Sequence, residues 1–269
     1  MINFILSTYI KNRRIVLRAY PWSFVFGRLI GGVSSIIIPF LIFSFLFDKQ
    51  VSALFLSITD SSDYMTYVTL GAIVNTLGMA MLMNIGRAFI TELREGTIEV
   101  FLISPASRVG YFIGCLAEQT GRAIFEMLII GFLGMLLGAN LMGVVSFSAL
   151  IALLFIAGGF FSMTILLSSV MLYTRDTYIT QNTLFHILNL ITGVTFPIEY
   201  LPRSIQIFSQ IIPMTHSLKL FRAIVINHET ISDNVFTVAA IFVLSIIYFL
   251  VGIVWAKKIE KRLVEEIFG

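Results

Sequence analysis

The residues best suited to contact another protein lie in one short acidic segment of an otherwise apolar chain. Residues 91–108 read TELREGTIEVFLISPASR. Wound as a helix, the segment places Glu92, Glu95 and Glu99 within the arc of one turn, and apolar residues follow helical spacing on a neighbouring face. Pro105 predicts the end of this helix. Such a pattern indicates a docking helix, although a solvated linker would carry the same charges.

A second set of charged residues lies inside a long apolar segment. Glu118, Arg122 and Glu126 are spaced by four residues, which places them one above another on a single helical face. An unpaired charge at the centre of a membrane-spanning helix costs about 2.5 to 3.5 kcal/mol on insertion scales, so we expect the three side chains to neutralise one another. This favours a structural or gating network inside the protein over direct contact with a substrate.

The sequence contains no residue set that predicts catalysis or metal binding. His186, His216 and His228 are far apart and form no His-Glu-x-x-His pattern, and Cys115 is the only cysteine. No Gly-x-Ser-x-Gly elbow accompanies a suitable histidine and acid. A Gly-x-x-x-x-Gly-Lys-Ser/Thr loop for ATP phosphates is also absent from the sequence. We therefore assign no catalytic residue and no metal ligand, and expect a protein that is not an enzyme.

The helices that position these residues are predicted to cross a membrane. Of the 269 residues, 58% are hydrophobic and 12% are charged, with a mean hydropathy of +0.95, a composition that excludes a soluble domain. A span needs roughly 20 apolar residues. Six segments meet this length, at 24–47, 64–90, 109–137, 144–173, 179–197 and 235–256. We predict an all-α integral membrane protein in which residues 1–269 form a single domain, with the six-span region at 24–256.

The distribution of basic residues predicts the orientation of these spans. Twelve of the 18 Lys and Arg fall on one side, in the N-terminal segment, the loop 87–108, a turn at Arg175 and the tail 257–269. Four fall on the other side, and Arg28 and Arg122 lie within spans. By the positive-inside rule, both termini are cytoplasmic. Helical spans rather than alternating strands indicate the cytoplasmic (inner) membrane. The net charge of +3 is too small to indicate a nucleic-acid partner.

The N-terminal segment 1–20 is too basic to cross the membrane. Its cations Lys11, Arg13, Arg14 and Arg18 alternate with apolar residues. This mixture predicts an amphipathic helix lying in the cytoplasmic interface, with a charged flank of no regular structure as the alternative. The segment lacks a short apolar core followed by a cleavage site, so we expect it to remain in the mature protein.

Residues 195–234, on the opposite side, are too hydrophobic for an ordinary loop. Pro197, Pro202 and Pro213 prevent one continuous helix. Short helices that re-enter the outer leaflet fit this composition, provided that protein shields their ends. We predict external re-entrant helices between spans 5 and 6.

Two blocks of residues resemble the type-2 ABC exporter permeases. In the coupling-helix region of that family the matching residues are Glu92, Gly96, Thr97, Glu99, Ser104, Pro105 and Arg108. In its region of external re-entrant helices they are Phe196, Pro197, Ile198, Leu201, Pro202, Ile212, Pro213, Met214, Thr215 and Arg222. Both blocks occur in the family's order among the predicted spans, so the resemblance covers nearly the whole chain. The family often has an acid where Arg94 stands and a basic residue where Cys115 stands, which leaves the subfamily open.

The resemblance implies how the protein is coupled to ATP. It implies a dimer with a second copy or a homologous permease, embedded in membrane lipid and bound to two copies of an ABC ATPase subunit. ATP and Mg²⁺ are expected on that subunit, with no cofactor in this chain. The coupling helix, residues 91–104, and a shorter contact would bind the ATPase through Glu92, Arg94, Glu95, Gly96, Thr97, Glu99, Pro105, Arg175 and Asp176.

The function expected from this resemblance is export of an amphiphilic substrate, such as a drug, antibiotic, peptide, lipid or lipid-linked glycan. Two alternatives belong to other classes. A sensor or immunity subunit would keep the fold but respond to its ligand without net transport. A membrane-embedded enzyme would need a cluster of catalytic side chains, which the sequence does not suggest.

Overall fold

The computed structural model describes residues 2–19, 23–59, 61–94, 96, 108–174, 183 and 185–268. Throughout these ranges the regular structure is helical and contains no strand, which confirms the predicted all-α class. The α-helices are α1 (Ile2–Ala19), α2 (Ser23–Leu41), α3 (Ala53–Thr59), α4 (Tyr64–Arg94), α5 (Arg108–Leu136), α6 (Phe147–Thr174), α7 (Phe185–Ile191), α8 (Arg203–Gln210), α9 (Pro213–Ile226) and α10 (Val235–Phe268). Short 3₁₀ or π turns occur at Ile42–Leu46, Met142–Val145, Ile198–Tyr200 and Ser232–Asn234.

Five helical segments among the described residues are long and apolar enough to cross a membrane. They are Leu29–Leu46, Tyr64–Leu82, Ile113–Leu136, Phe147–Thr174 and Ser232–Ile259. Each overlaps one of the predicted spans, so a multi-pass membrane protein is confirmed. The N-terminal segment is helical as α1 and packs against α5, whereas its location in a membrane interface stays a prediction.

The predicted span at 179–197 is not among these five. Residues 175–182 and 184 lie outside the described part of the chain. What the structure describes of this segment is the short helix α7, which ends at Ile191 and is followed by a turn containing Gly193 at φ +82°. A backbone in the left-handed region terminates a helix, so α7 ends before residue 193. The count of six spans therefore stays a prediction.

Helix α4 is the central helix of the bundle. Of its residues between Tyr64 and Leu82, 89% are buried, against 11% for the membrane-length segments Leu29–Leu46 and Ser232–Ile259. It packs against α2, α5, α6 and α9. Mean hydropathy is 1.4 for Tyr64–Leu82 and 2.7 for Ser232–Ile259. Helices surrounded by protein tolerate polar side chains, whereas helices whose outer faces meet lipid need apolar ones.

The bundle has two ends, which α4 connects. We call the end with α1, Glu92 and Tyr111 the α1 end, and the end with α9, Tyr67 and residues 193–194 the α9 end. Tyr67 and Glu92 both lie on α4, and at about 1.5 Å per residue they are about 37 Å apart along it. One unbroken helix thus joins the two ends.

Candidate functional site

At the α1 end, Glu92 connects three helices. Its carboxylate pairs with the ammonium of Lys11 on α1 and accepts a hydrogen bond from the Tyr111 hydroxyl on α5 at 3.1 Å. The Glu92 side chain is only 12% exposed. Glu92, predicted to lie on an acidic docking stripe, is therefore engaged in contacts within the chain.

Close contacts between α1 and α5 hold the N-terminal helix in place beside this ion pair. A Cβ added to Gly114 would lie 2.7 Å from Cβ of Thr8 and 2.9 Å from the Ile5 carbonyl oxygen. Asn12 Nδ2 donates to the thiol sulfur of Cys115 at 3.1 Å. Cys115 is 1% exposed, as expected of a small core residue. Helix α1 consequently forms part of the packed bundle.

The structure places only part of the predicted docking segment. Helix α4 continues past residue 90 to Arg94, so residues 91–94 extend the second span. Gly96 is exposed and has φ +71°, a backbone conformation outside the helical range that favours glycine. Outside the described residues lie the side chain of Arg94 and the whole of Glu95, Thr97, Glu99, Pro105, Arg175 and Asp176.

Two of the three intramembrane charges form an ion pair on α5. The guanidinium of Arg122 pairs with the carboxylate of Glu118 one turn earlier. Glu118 is 4% exposed, and Glu126 is partly buried further along the same helix. Leu128 and Phe132 on α5 are well exposed. The Glu118–Arg122 pair therefore faces the protein interior, which is the arrangement expected of charges that neutralise one another.

Removing Arg122 is expected to destabilise the protein. Arg122→Leu leaves the buried Glu118 without its ion-pair partner. We expect the free energy of unfolding to fall by about 2 kcal/mol, which is less than for a fully buried pair because Arg122 is partly exposed. The double variant Glu118→Leu/Arg122→Leu removes both charges and should recover most of this loss. Thermal unfolding in detergent measures both effects. Equal midpoints for wild type and Arg122→Leu would show that the pair carries no stability.

At the α9 end, Arg222 is buried among backbone carbonyl groups. Its terminal nitrogens donate to the carbonyl oxygens of Gly193 and Val194, each at 2.7 Å. Its Nε and one terminal nitrogen donate to the Tyr67 carbonyl at 3.3 and 3.2 Å. Arg222 is 9% exposed. A single side chain on α9 thus binds both α4 and the turn after α7.

Among the described residues, no carboxylate contacts Arg222 directly, and other groups stabilise its charge. The guanidinium carbon lies 3.4 Å from the centroid of the Tyr67 ring, a cation–π contact. Burial lowers the pKa of the Arg222 guanidinium, and the neighbouring Tyr67 and Glu199 oppose this effect. Because an arginine side chain is not deprotonated in proteins, Arg222 remains charged.

Gly71 allows the turn after α7 to approach α4. A Cβ at this position would lie 2.0 Å from the carbonyl oxygen of Val194 and 2.7 Å from a terminal nitrogen of Arg222. Real Cβ atoms do not come so close to backbone oxygen, so only glycine fits between α4 and this turn. The absence of a side chain at residue 71 is therefore part of the Arg222 site.

The three prolines of residues 195–234 mark the beginnings of short helical elements. Pro197 precedes the turn Ile198–Tyr200, Pro202 precedes α8, and Pro213 is the first residue of α9. Proline is favoured at a helix start, where its missing N–H costs no intrahelical bond. The predicted break-up of this segment into short helices is observed, and insertion of these helices into a membrane leaflet stays a prediction.

A cavity of 310 Å³ opens beside Arg222 at the α9 end. Its walls come from α3, the beginning of α4, residues 192–199, α9 and the loop that follows α9. The charged residues among its lining are Glu199, Lys219, Arg222 and Glu229. Within the described part of the chain, no group of three or more His, Cys, Asp or Glu is placed to hold a metal ion.

Several residues of these sites were not identified from the sequence. Lys11 is one of four cations in the N-terminal segment. The sequence around Tyr67, Gly71 and Tyr111 contains no motif. Gly71 is one of 19 glycines. Since each acquires its role from a helix distant in sequence, local spacing contains no signal for it.

Comparison with protein-family models gives a match over most of the chain. The family model described as ABC-2 type transporter matches residues 8–226 of the chain. The matched stretch begins within α1, which carries Lys11, and ends at the last residue of α9, which carries Arg222. A search of curated proteins found none that matches.

Proposed function

This chain belongs to the ABC-2 type transporter family, and from that premise we propose that it is the membrane-spanning permease subunit of an ATP-driven exporter. Two permeases, identical or homologous, form the path for an amphiphilic substrate. Each couples to a separate ATPase subunit, which binds ATP and Mg²⁺. Both termini lie in the cytoplasm, so the α1 end faces the cytoplasm and the α9 end faces outward.

The observation that carries the proposal, beside family membership, is the continuity of α4. This helix runs unbroken from the Arg222 site to Arg94 and so includes Glu92 and Arg94, the first two of the predicted ATPase-contacting residues. A hydrogen-bonded helix moves as a rigid body. Movement of the 91–104 segment by the ATPase would therefore shift the α9 end, about 37 Å away along the helix.

The contacts of Glu92 extend this coupling to neighbouring helices. Because Glu92 binds Lys11 of α1 and Tyr111 of α5, displacement of the end of α4 would move α1 and α5 with it. In the proposed cycle, closure of the ATPase pair shifts these three helices together and opens the path between the two permeases. Arg175 and Asp176 are proposed as the shorter second contact with the ATPase.

The direct test is purification of the tagged chain from its native host in mild detergent. We expect a soluble subunit with a phosphate-binding Gly-Lys-Ser/Thr loop to co-purify, identified by mass spectrometry, and vanadate-sensitive ATPase activity in the eluate. Substrate-stimulated ATPase activity without net flux in vesicles would favour a sensor over an exporter. Recovery of the chain alone, from cells in which it is well expressed, would contradict the proposal.

Reversal of charge at Glu92 is expected to impair the complex. Glu92→Lys places two cations together at the α1 end and removes the acceptor for Tyr111. We expect recovery of the ATPase subunit to fall about tenfold, corresponding to about 1.4 kcal/mol, while membrane insertion is retained. Glu265→Lys is the matched control, because Glu265 on α10 is 66% exposed and pairs only one turn away with Lys261.

The exchange variant Lys11→Glu/Glu92→Lys separates two roles of Glu92. This variant restores opposite charges between α1 and α4. It should therefore restore any thermal stability that Glu92→Lys loses through the broken ion pair. If Glu92 also contacts the ATPase, recovery of the ATPase stays low in the exchange variant. Full recovery of both properties would show that Glu92 acts only within this chain.

A further inference from the structure

The cavity at the α9 end is lined by opposite charges on different structural elements. Lys219 and Arg222 lie on α9, Glu199 lies on the turn Ile198–Tyr200, and Glu229 lies in the loop after α9. The cavity volume of 310 Å³ is at the lower end of the range of small-molecule sites, about 300 to 1,000 Å³. The cavity is open to the surface, because Lys219 and Glu199 are exposed.

The two cations share one face of α9. Residues three apart on a helix are neighbours, so Lys219 and Arg222 stand side by side. Arg222 is occupied by the carbonyl groups of Tyr67, Gly193 and Val194. The Lys219 ammonium makes no hydrogen bond or ion pair with any described residue. Lys219 is therefore available to bind an anionic group, with the Arg222 charge behind it.

The two acids lie on segments that flank α9. Glu229 is held by side-chain amides, with Asn227 Nδ2 at 3.3 Å from one carboxylate oxygen and Asn234 Nδ2 at 2.6 Å from the other. Both amides donate to Glu229 without neutralising its charge. Glu199 is exposed, and its carboxylate has no bonding partner among the described residues. Although Glu199 and Lys219 line the same cavity, they do not pair with each other.

We propose that this cavity binds a small zwitterionic group, an ammonium joined by a short linker to a phosphate or carboxylate. The anionic part binds Lys219 beside Arg222, and the ammonium binds Glu199 and Glu229. A purely anionic ligand would meet two carboxylates, and a purely cationic ligand would meet two cations. Only a ligand with both charges complements all four side chains.

The zwitterion has two possible sources, a phospholipid headgroup or a soluble molecule. Glycerophosphoethanolamine is a probe for the headgroup alone, and a short-chain phosphatidylethanolamine, below its micellar concentration, is the probe for the lipid. Glycerophosphoglycerol carries the same phosphate without the ammonium. Binding of each is measured by calorimetry on the purified chain in detergent. No ATPase is present, so failure here leaves the proposed function untouched.

We expect saturable binding of glycerophosphoethanolamine. Lys219→Gln and Glu199→Gln should each weaken it about tenfold, since each removes a hydrogen bond to a charged group. Arg203→Gln, at an exposed cation outside the cavity lining, should bind as wild type. If the short-chain lipid binds with the same affinity as glycerophosphoethanolamine, the natural ligand is a soluble molecule. If the lipid binds more tightly than glycerophosphoethanolamine and its binding still depends on Lys219 and Glu199, the ligand is a phospholipid headgroup.

Three results would overturn the proposal. The first is that glycerophosphoglycerol binds with the same affinity as glycerophosphoethanolamine, which would show that the ammonium is not recognised. The second is the absence of saturable binding of every probe. The third is binding that is unchanged in both Lys219→Gln and Glu199→Gln, which would place the ligand elsewhere on the protein.

Discussion

Arg222→Met is expected to lower the free energy of unfolding by about 3 kcal/mol or more, because the Gly193 and Val194 carbonyl groups lose their donors and the Tyr67 carbonyl keeps only its bond within α4. The Gly193, Val194 and Tyr67 carbonyls all accept hydrogen bonds from Arg222. Each unsatisfied buried polar group costs about 1 to 3 kcal/mol. Methionine has a similar length but no donor, so packing is largely conserved while the hydrogen bonds are lost.

Thermal unfolding in detergent measures this effect, and Arg203→Met is the matched control. Arg203 is the exposed first residue of α8, so the same substitution there should change the midpoint little. The unfolding midpoint of Arg222→Lys should lie between those of wild type and Arg222→Met, because the lysine ammonium retains the charge but lacks the planar geometry of the guanidinium. A midpoint for Arg222→Met equal to that of Arg203→Met would contradict a stabilising role for the Arg222 hydrogen bonds.

Gly71→Ala is expected to destabilise the protein by about 2 kcal/mol or more, through overpacking of a single methyl group. The new Cβ would lie 2.0 Å from the Val194 carbonyl oxygen. Either α4 or the turn after α7 has to move, and movement of the turn would weaken the hydrogen bonds to Arg222. The expected result is a lower unfolding midpoint and poorer transport.

Gly121→Ala, on α5, provides the control, because a Cβ at Gly121 would meet no atom within 4 Å. In a helix interior, alanine is more favourable than glycine by about 0.5 to 1 kcal/mol, so this variant should be slightly more stable than wild type. The double variant Gly71→Ala/Arg222→Met should lose less free energy of unfolding than the two single variants lose together, since both changes damage the same contact. Strict additivity would argue that Gly71 and Arg222 act independently.

The helical class and five of the predicted spans follow from local composition. A long apolar segment has to satisfy its backbone hydrogen bonds internally once it is in lipid, so a helix is the only available structure for it. The prolines of residues 195–234 also act locally, because each fixes its own backbone and removes its own donor. Pro202 and Pro213 accordingly mark the starts of α8 and α9.

The end of the segment 179–197 depends on a residue that is distant in sequence. The described helix of this segment ends at Ile191, and a turn follows it. Its backbone carbonyls at Gly193 and Val194 are satisfied by Arg222, which lies on another helix. A donor so distant in sequence cannot be anticipated from the segment itself.

The sequence alone determined the helical class, five membrane spans, the membrane environment and the family of this protein, because hydrophobic length, proline positions and short residue blocks are local properties. The tertiary structure decided which residues meet. Glu92 has the same charge in any helix, but packing of α1 gives it Lys11 as a partner. Gly71 is needed because the turn after α7 crosses α4 there, and Arg222 is tolerated because that crossing supplies carbonyl acceptors. Such contacts depend on the relative positions of helices, which spacing along one helix does not encode.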